Sequence, residues 1–108
     1  MVGPQTKPER VVLDGRLTIR DIDTVRSRLA AALKEHETIE VDCSAAEDVD
    51  LSLIQLLIAA RRSAAESGKQ LTIAQPADGV LHAALLQGGF LPATGPEAAF
   101  WLGTAVPL

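Results

Sequence analysis

Apolar residues in this chain fall into short runs and longer helical stripes, and the two kinds alternate. Val11, Val12 and Leu13 form the first run and predict a strand; the Asp14-Gly15 pair that follows predicts a turn or bulge before Leu17 resumes the apolar pattern. Ile22, Val25, Leu29 and Leu33 then recur at helical spacing, with Arg20, Asp23, Arg26, Lys34 and Glu35 off the stripe, predicting a helix from about Ile19 to Glu35. Thr18 is its expected N-cap, with Asp21 three residues on as in a capping box. Thr38 to Asp42 reads as a second strand and Cys43 to Val49 as an acidic loop. A strongly apolar helix is expected to open at Asp50 and close at Gly68. Leu71 to Ala74 predicts a third strand, stopped by Gln75-Pro76. Pro76 is expected to start a helix that runs to about Gln87 and ends at Gly88-Gly89. Phe90 and Leu91 read as a last edge strand, and Glu97 to Leu102 as a last short helix.

Strands and helices alternating at this spacing imply an α/β fold with a mostly parallel, four- to five-stranded mixed sheet, right-handed crossovers and about four helices. At 108 residues and 47% hydrophobic, the chain has the size of one domain with a real core. That core is expected over about residues 11 to 91, with a loose arm before it carrying Pro4 and Pro8.

The helix opening at Asp50 is more apolar than a surface helix needs to be. Ile54, Leu57, Ile58, Arg61 and Ala65 follow one stripe, and Leu53, Leu56, Ala60 and Ala64 another. A helix covered on both flanks accounts for Leu56 and Leu57. Leu51 and Leu53 are expected instead to lie exposed beside Ser52 at the helix start, as a partner-docking patch would. Asp50 is a good N-cap, because its carboxylate can accept from the backbone N–H groups of the first turn and suits the positive end of the helix dipole.

Charge and composition narrow the chemistry. A net charge of −4, with the basic residues scattered, speaks against a nucleic-acid surface, and three aromatic residues near the end of the chain give no platform for stacking bases. No apolar run approaches the ~20 residues of a spanning helix, and the N-terminus has no signal-peptide core, so no membrane insertion and a cytoplasmic location are expected. Asp42, Glu47, Asp48 and Asp50 have no spacing that makes their carboxylates converge on a metal. Cys43 would be a nucleophile only if the fold brought His36 or His82 to it. His36 reads more simply as a cation at a helix C-terminus, and Cys43 as a buried strand-end residue. Arg61-Arg62 reads as a solvated basic pair or one paired with Glu66. No Gly-rich phosphate loop is present, since Gly88-Gly89 ends a helix rather than opening one, so no cofactor is expected.

Val41-Asp42-Cys43-Ser44, Val49-Asp50-Leu51-Ser52, Gln55-Leu56-Leu57 and Gly68-Lys69-Gln70-Leu71 together resemble the STAS domain. That family includes bacterial anti-sigma factor antagonists, cytosolic tails of sulfate transporters and small subunits of a phospholipid transporter. Leu13-Asp14-Gly15-Arg16-Leu17 is similar to its Leu-x-Gly-x-Leu segment, and Leu85-Leu86-Gln87-Gly88-Gly89-Phe90 to its closing helix and Gly-Leu/Phe. The resemblance implies that Ser52 stands at the family's phosphorylated serine, with Asp50 at the neighbouring aspartate. Leu51 replaces the usual Ser or Thr and Leu53 the usual Gly, so this helix start is bulkier and less polar.

The resulting expectation is a regulatory protein-interaction module and not an enzyme. It resembles an anti-sigma factor antagonist, and binds an anti-sigma factor or a histidine-kinase-like ATPase through Asp50, Leu51, Ser52 and Leu53. Ser52 is either a phosphorylation switch or an ordinary serine of a helix first turn. Two alternatives stand beside this reading: a constitutive accessory subunit of a phospholipid transporter or chemosensory assembly, and a nucleotide-binding domain. Closure of a homodimer by the apolar patch also stays open.

Overall fold

A computed structural model describes residues 8–91 and 95–102, without the side chains of residues 95–97 and 102. The arm expected before the core and the connection from Pro92 to Pro96 fall largely outside these residues. The described elements are β1 (Glu9–Val12), β2 (Gly15–Leu17), α1 (Ile22–Glu35), β3 (Thr38–Asp42), β4 (Ala46–Val49), α2 (Leu51–Glu66), β5 (Gln70–Ile73), α3 (Gly79–Gln87) and α4 (Gly95–Leu102).

Every strand pair among the described residues is parallel, which confirms the α/β, mostly parallel expectation. β1, β3 and β5 make one sheet in that order, and β2 pairs with β4 in a second. The two sheets are linked through a kink. Leu13 N–H donates to Asp42 O at 2.9 Å and Gly15 N–H to Ala45 O at 3.2 Å, carrying the bonding from one pair to the next. At the kink Gly15 has φ +73°, and the register shifts between Gly15 and Arg16. The Asp14-Gly15 signal therefore marks a bulge that needs the left-handed conformation glycine adopts at little cost.

The β1-β3-β5 sheet buries one face: Val11, Ile39, Val41, Leu71 and Ile73, with Leu13 just after β1, pack with Ile22, Val25, Leu29, Leu53, Ile54 and Leu57 of the helices, while Arg10, Val12, Glu40 and Thr72 alternate with them and stay exposed or half-buried. α1 packs on α2, β1 and β3; α2 packs on β5; α3 packs on β4. The helix α2 is thus flanked as its two apolar stripes require, with Leu56 and Ile58 half-buried.

Several expected boundaries are corrected. Ala46 to Val49 is not a loop but β4: its Glu47 and Asp48 are exposed, and pairing with the distant β2 makes it a strand, without an apolar run of its own. The first helix starts at Ile22 with Asp21 as its N-cap, and Thr18 to Asp21 form a turn closed by Asp21 N–H donating to Thr18 O at 2.8 Å. The third helix starts at Gly79, not Pro76, because Ala77 N–H is bound to Trp101 O at 2.8 Å and holds this segment against α4. Phe90 and Leu91 do not form an edge strand. Phe90 N–H turns back to Leu85 O at 2.8 Å, and its ring lies so close over Gly88 that a Cβ there would stand 2.9 Å away. The last helix is longer than expected, from Gly95, and buries Phe100 and Trp101 edge-to-face with centroids 4.7 Å apart. Arg61, read as solvated or paired with Glu66, holds its guanidinium 5.5 Å from the Phe100 ring centroid.

Candidate functional site

The site is built where β4 turns into α2. Asp50 is extended, with φ −119° and ψ −177°, so its carboxylate swings over the first turn of the helix and accepts from Ser52 N–H at 3.0 Å. The Ser52 hydroxyl donates to the same oxygen. The other oxygen accepts from Ile19 N–H at 2.9 Å, from a residue 31 positions earlier. One carboxylate therefore caps α2 and ties the turn before α1 to its start. Burial pushes the Asp50 pKa up, but the hydrogen bonds from the Ser52 hydroxyl and the Ile19, Ser52 and Leu53 N–H groups outweigh it and hold the carboxyl below its ordinary value.

This arrangement changes which residues can meet a partner. Leu51 is 50% exposed, and Ser52 is half-buried. Leu53, expected at the surface, is 0% exposed and belongs to the core: two positions beyond Leu51 on a helix, it points about 200° away, toward α1 and the sheet. A second exposed aliphatic residue, Ile19, is 65% exposed and brought to this helix start by the bond from its backbone N–H to Asp50. No local pattern signals this. Ile19 lies three residues before Ile22, a spacing that fits the buried stripe, and only the long-range bond to Asp50 separates it from the helix. The N–H groups that could meet a phosphate on Ser52 are already partly committed to Asp50.

The other sequence candidates are kept apart. Asp42 is buried and accepts from Ser44 Oγ at 2.6 Å, Ser44 N–H at 2.9 Å and Arg10 at 2.9 Å. The Ser44 bonds and, against the pull of burial, the Arg10 charge hold its carboxyl below the ordinary value. Among the described residues no group of His, Cys, Asp and Glu is placed to hold a metal ion. Cys43 is half-buried at the far end of β3 from His36, about 20 Å along an extended chain. Burial, with the Asp42 charge adding to it, pushes the thiol up to about 12, so it stays protonated and a poor nucleophile. His36 instead ends α1, with Nε2 3.9 Å from Glu9, and His82 is exposed on α3.

A kinked parallel sheet packed with helices, with a capped helix start that exposes Leu51, defines a small α/β fold. Residues 2–89 match the family described as "Mlab, STAS domain", and the chain belongs to the STAS domain family. At family level this gives a regulatory, protein-interaction role, and STAS domains are in general not enzymes. Comparison with curated proteins and with solved structures returned no match. No described helix is long and apolar enough to cross a membrane.

Proposed function

We propose that this chain is a non-enzymatic docking module that binds a protein partner through the start of α2, with Ile19, Leu51 and Ser52 as contacts and Asp50 as the residue that positions them. The observation that carries this reading is the tether: an exposed isoleucine and an exposed leucine, distant in sequence, are held at one helix end by a single carboxylate. The backbone that carries these exposed side chains is already held before docking, so less ordering is left to a partner, which favours binding. Leu53 supports the helix from below and is not a contact. The partner classes are those the family resemblance implies: an anti-sigma factor, a histidine-kinase-like ATPase or a transporter subunit.

Ser52 is the control point of this surface. Phosphorylation would place about two negative charges beside Asp50 and Leu51 and would remove the hydroxyl's bond to the cap. A second reading, a constitutive subunit of a phospholipid transporter or chemosensory assembly, is favoured by the Ser52 hydroxyl being half-buried and already engaged with Asp50. The matched description, Mlab, also names one kind of STAS domain rather than the family at large. The test is co-purification of the tagged chain with its native partner from its own host. Ile19→Glu and Leu51→Glu should each abolish recovery while leaving the melting temperature unchanged. Ser52→Asp should weaken it at least tenfold, about 1.4 kcal/mol, if the switch operates. Equal binding by Ser52→Asp, with no phosphorylated species in the intact mass, selects the constitutive reading. Full recovery with both glutamate variants rejects docking at this surface.

A further inference from the structure

The arginines around the docking surface specify what it receives. Elsewhere in the described residues arginine side chains are engaged: Arg10 with Glu40 and Asp42, Arg26 with Asp23, Arg28 with the Val12 carbonyl, Arg61 with Phe100, and Arg62 as well. Arg16 and Arg20 differ. Among the described residues neither makes an ion pair or a hydrogen bond, and both are exposed. Arg16 even stands opposite Asp48 in the β2–β4 register without closing a salt bridge. With Thr18, Asp21 and Asp48, the two arginines line an open groove of roughly 550 Å³. The same short stretch carries Ile19. In sequence the two arginines thus flank Ile19, the most exposed large apolar residue among those described, whose backbone N–H is bound to the α2 cap.

Asp21 and Asp48 balance the charge of the groove as a whole, so an extended polyanion would gain little there. A single carboxylate fits better. It can take a bidentate bond from one guanidinium while an adjacent apolar side chain covers Ile19 and Leu51. We infer that the surface formed by Arg16, Ile19, Arg20 and Leu51 receives a protein segment that presents an apolar side chain next to a carboxylate. This rests on the docking reading above and gives it a partner chemistry.

A random peptide library displayed on phage, selected against the full-length chain and counter-selected on the Ile19→Glu and Leu51→Glu variants, tests it. The expected consensus is an aliphatic or aromatic residue with Asp or Glu beside it. Binding should fall about tenfold with Arg16→Glu or Arg20→Glu and weaken with added salt. Exchanging the peptide's acidic residue for Lys should restore binding to at least one of these variants. Both arginines are exposed, so unchanged thermal melts will show the variants folded. Peptides that depend on Ile19 and Leu51 but carry no acid and ignore both arginines overturn this inference and leave the docking reading standing. Failure to enrich any peptide that depends on Ile19 and Leu51 overturns both.

Discussion

Asp50 does two things with one carboxylate, and the two can be separated by substitution. Asparagine retains one oxygen, which can cap α2 but leaves an NH2 group facing the Ile19 N–H, whereas alanine retains neither acceptor, so Asp50→Ala should cost about 1 to 2 kcal/mol and Asp50→Asn less, with the tether to Ile19 lost in both. Chemical denaturation at neutral pH measures both. Asp50 and Asp42 are held below their ordinary pKa of 3.8, so each contributes stability that is complete above about pH 4 and is lost as pH falls through the lowered folded value. The Asn variants should flatten that acid limb of the stability curve; an unchanged limb would show that neither group is linked to folding. At Cys43 a pKa of about 12 predicts slow alkylation of the native protein at pH 8 and rapid alkylation once it is unfolded. Equal rates in the two states would place the thiol in solvent. The capping role of Asp50 was legible because a cap and its helix are neighbours in sequence. The bond to Ile19 was not, since it spans 31 residues and leaves no periodic trace.

Among the elements, α2 shows most directly what a hydrophobic pattern can and cannot decide. Two apolar stripes announced a helix with neighbours on both sides, and α1 and β5 are those neighbours. They did not tell which leucine of the first turn faces outward. Leu53→Ala should cost about 2 to 5 kcal/mol, and Leu51→Ala no more than about 0.5 kcal/mol, in urea unfolding. Comparable losses would mean that the helix is rotated from the orientation described. Periodicity found α1, α2, β3 and β5 to within a few residues. It missed β4, whose Ala46-Glu47-Asp48-Val49 lacks an apolar run and becomes a strand only through its partner β2. It also misplaced the start of α3, because a proline suited to a helix N-terminus sits in a segment that α4 holds out of the helix by the Ala77–Trp101 bond.

For the whole molecule, the family match ends at residue 89, yet the buried core includes Phe100 and Trp101 from beyond it. Trp101 is 1% exposed, so Trp101→Ala should cost about 3 to 5 kcal/mol. As the chain's only tryptophan, it should also show a blue-shifted emission that moves red on unfolding. A red emission from the native protein would detach α4 from the core. The parallel pairing has a further consequence, in time rather than in energy. Residue 11 pairs with residue 41 and residue 41 with residue 73, so among the described residues no strand pair is a hairpin that could form early on its own. Each ladder can close only once the chain between its strands has returned, and that chain carries a helix. Connectivity predicts an order of events: α1 and α2 should gain protection in pulsed hydrogen exchange before the strands do, and simultaneous protection would overturn this, leaving strand propensity a larger say in how fast the protein reaches its native state.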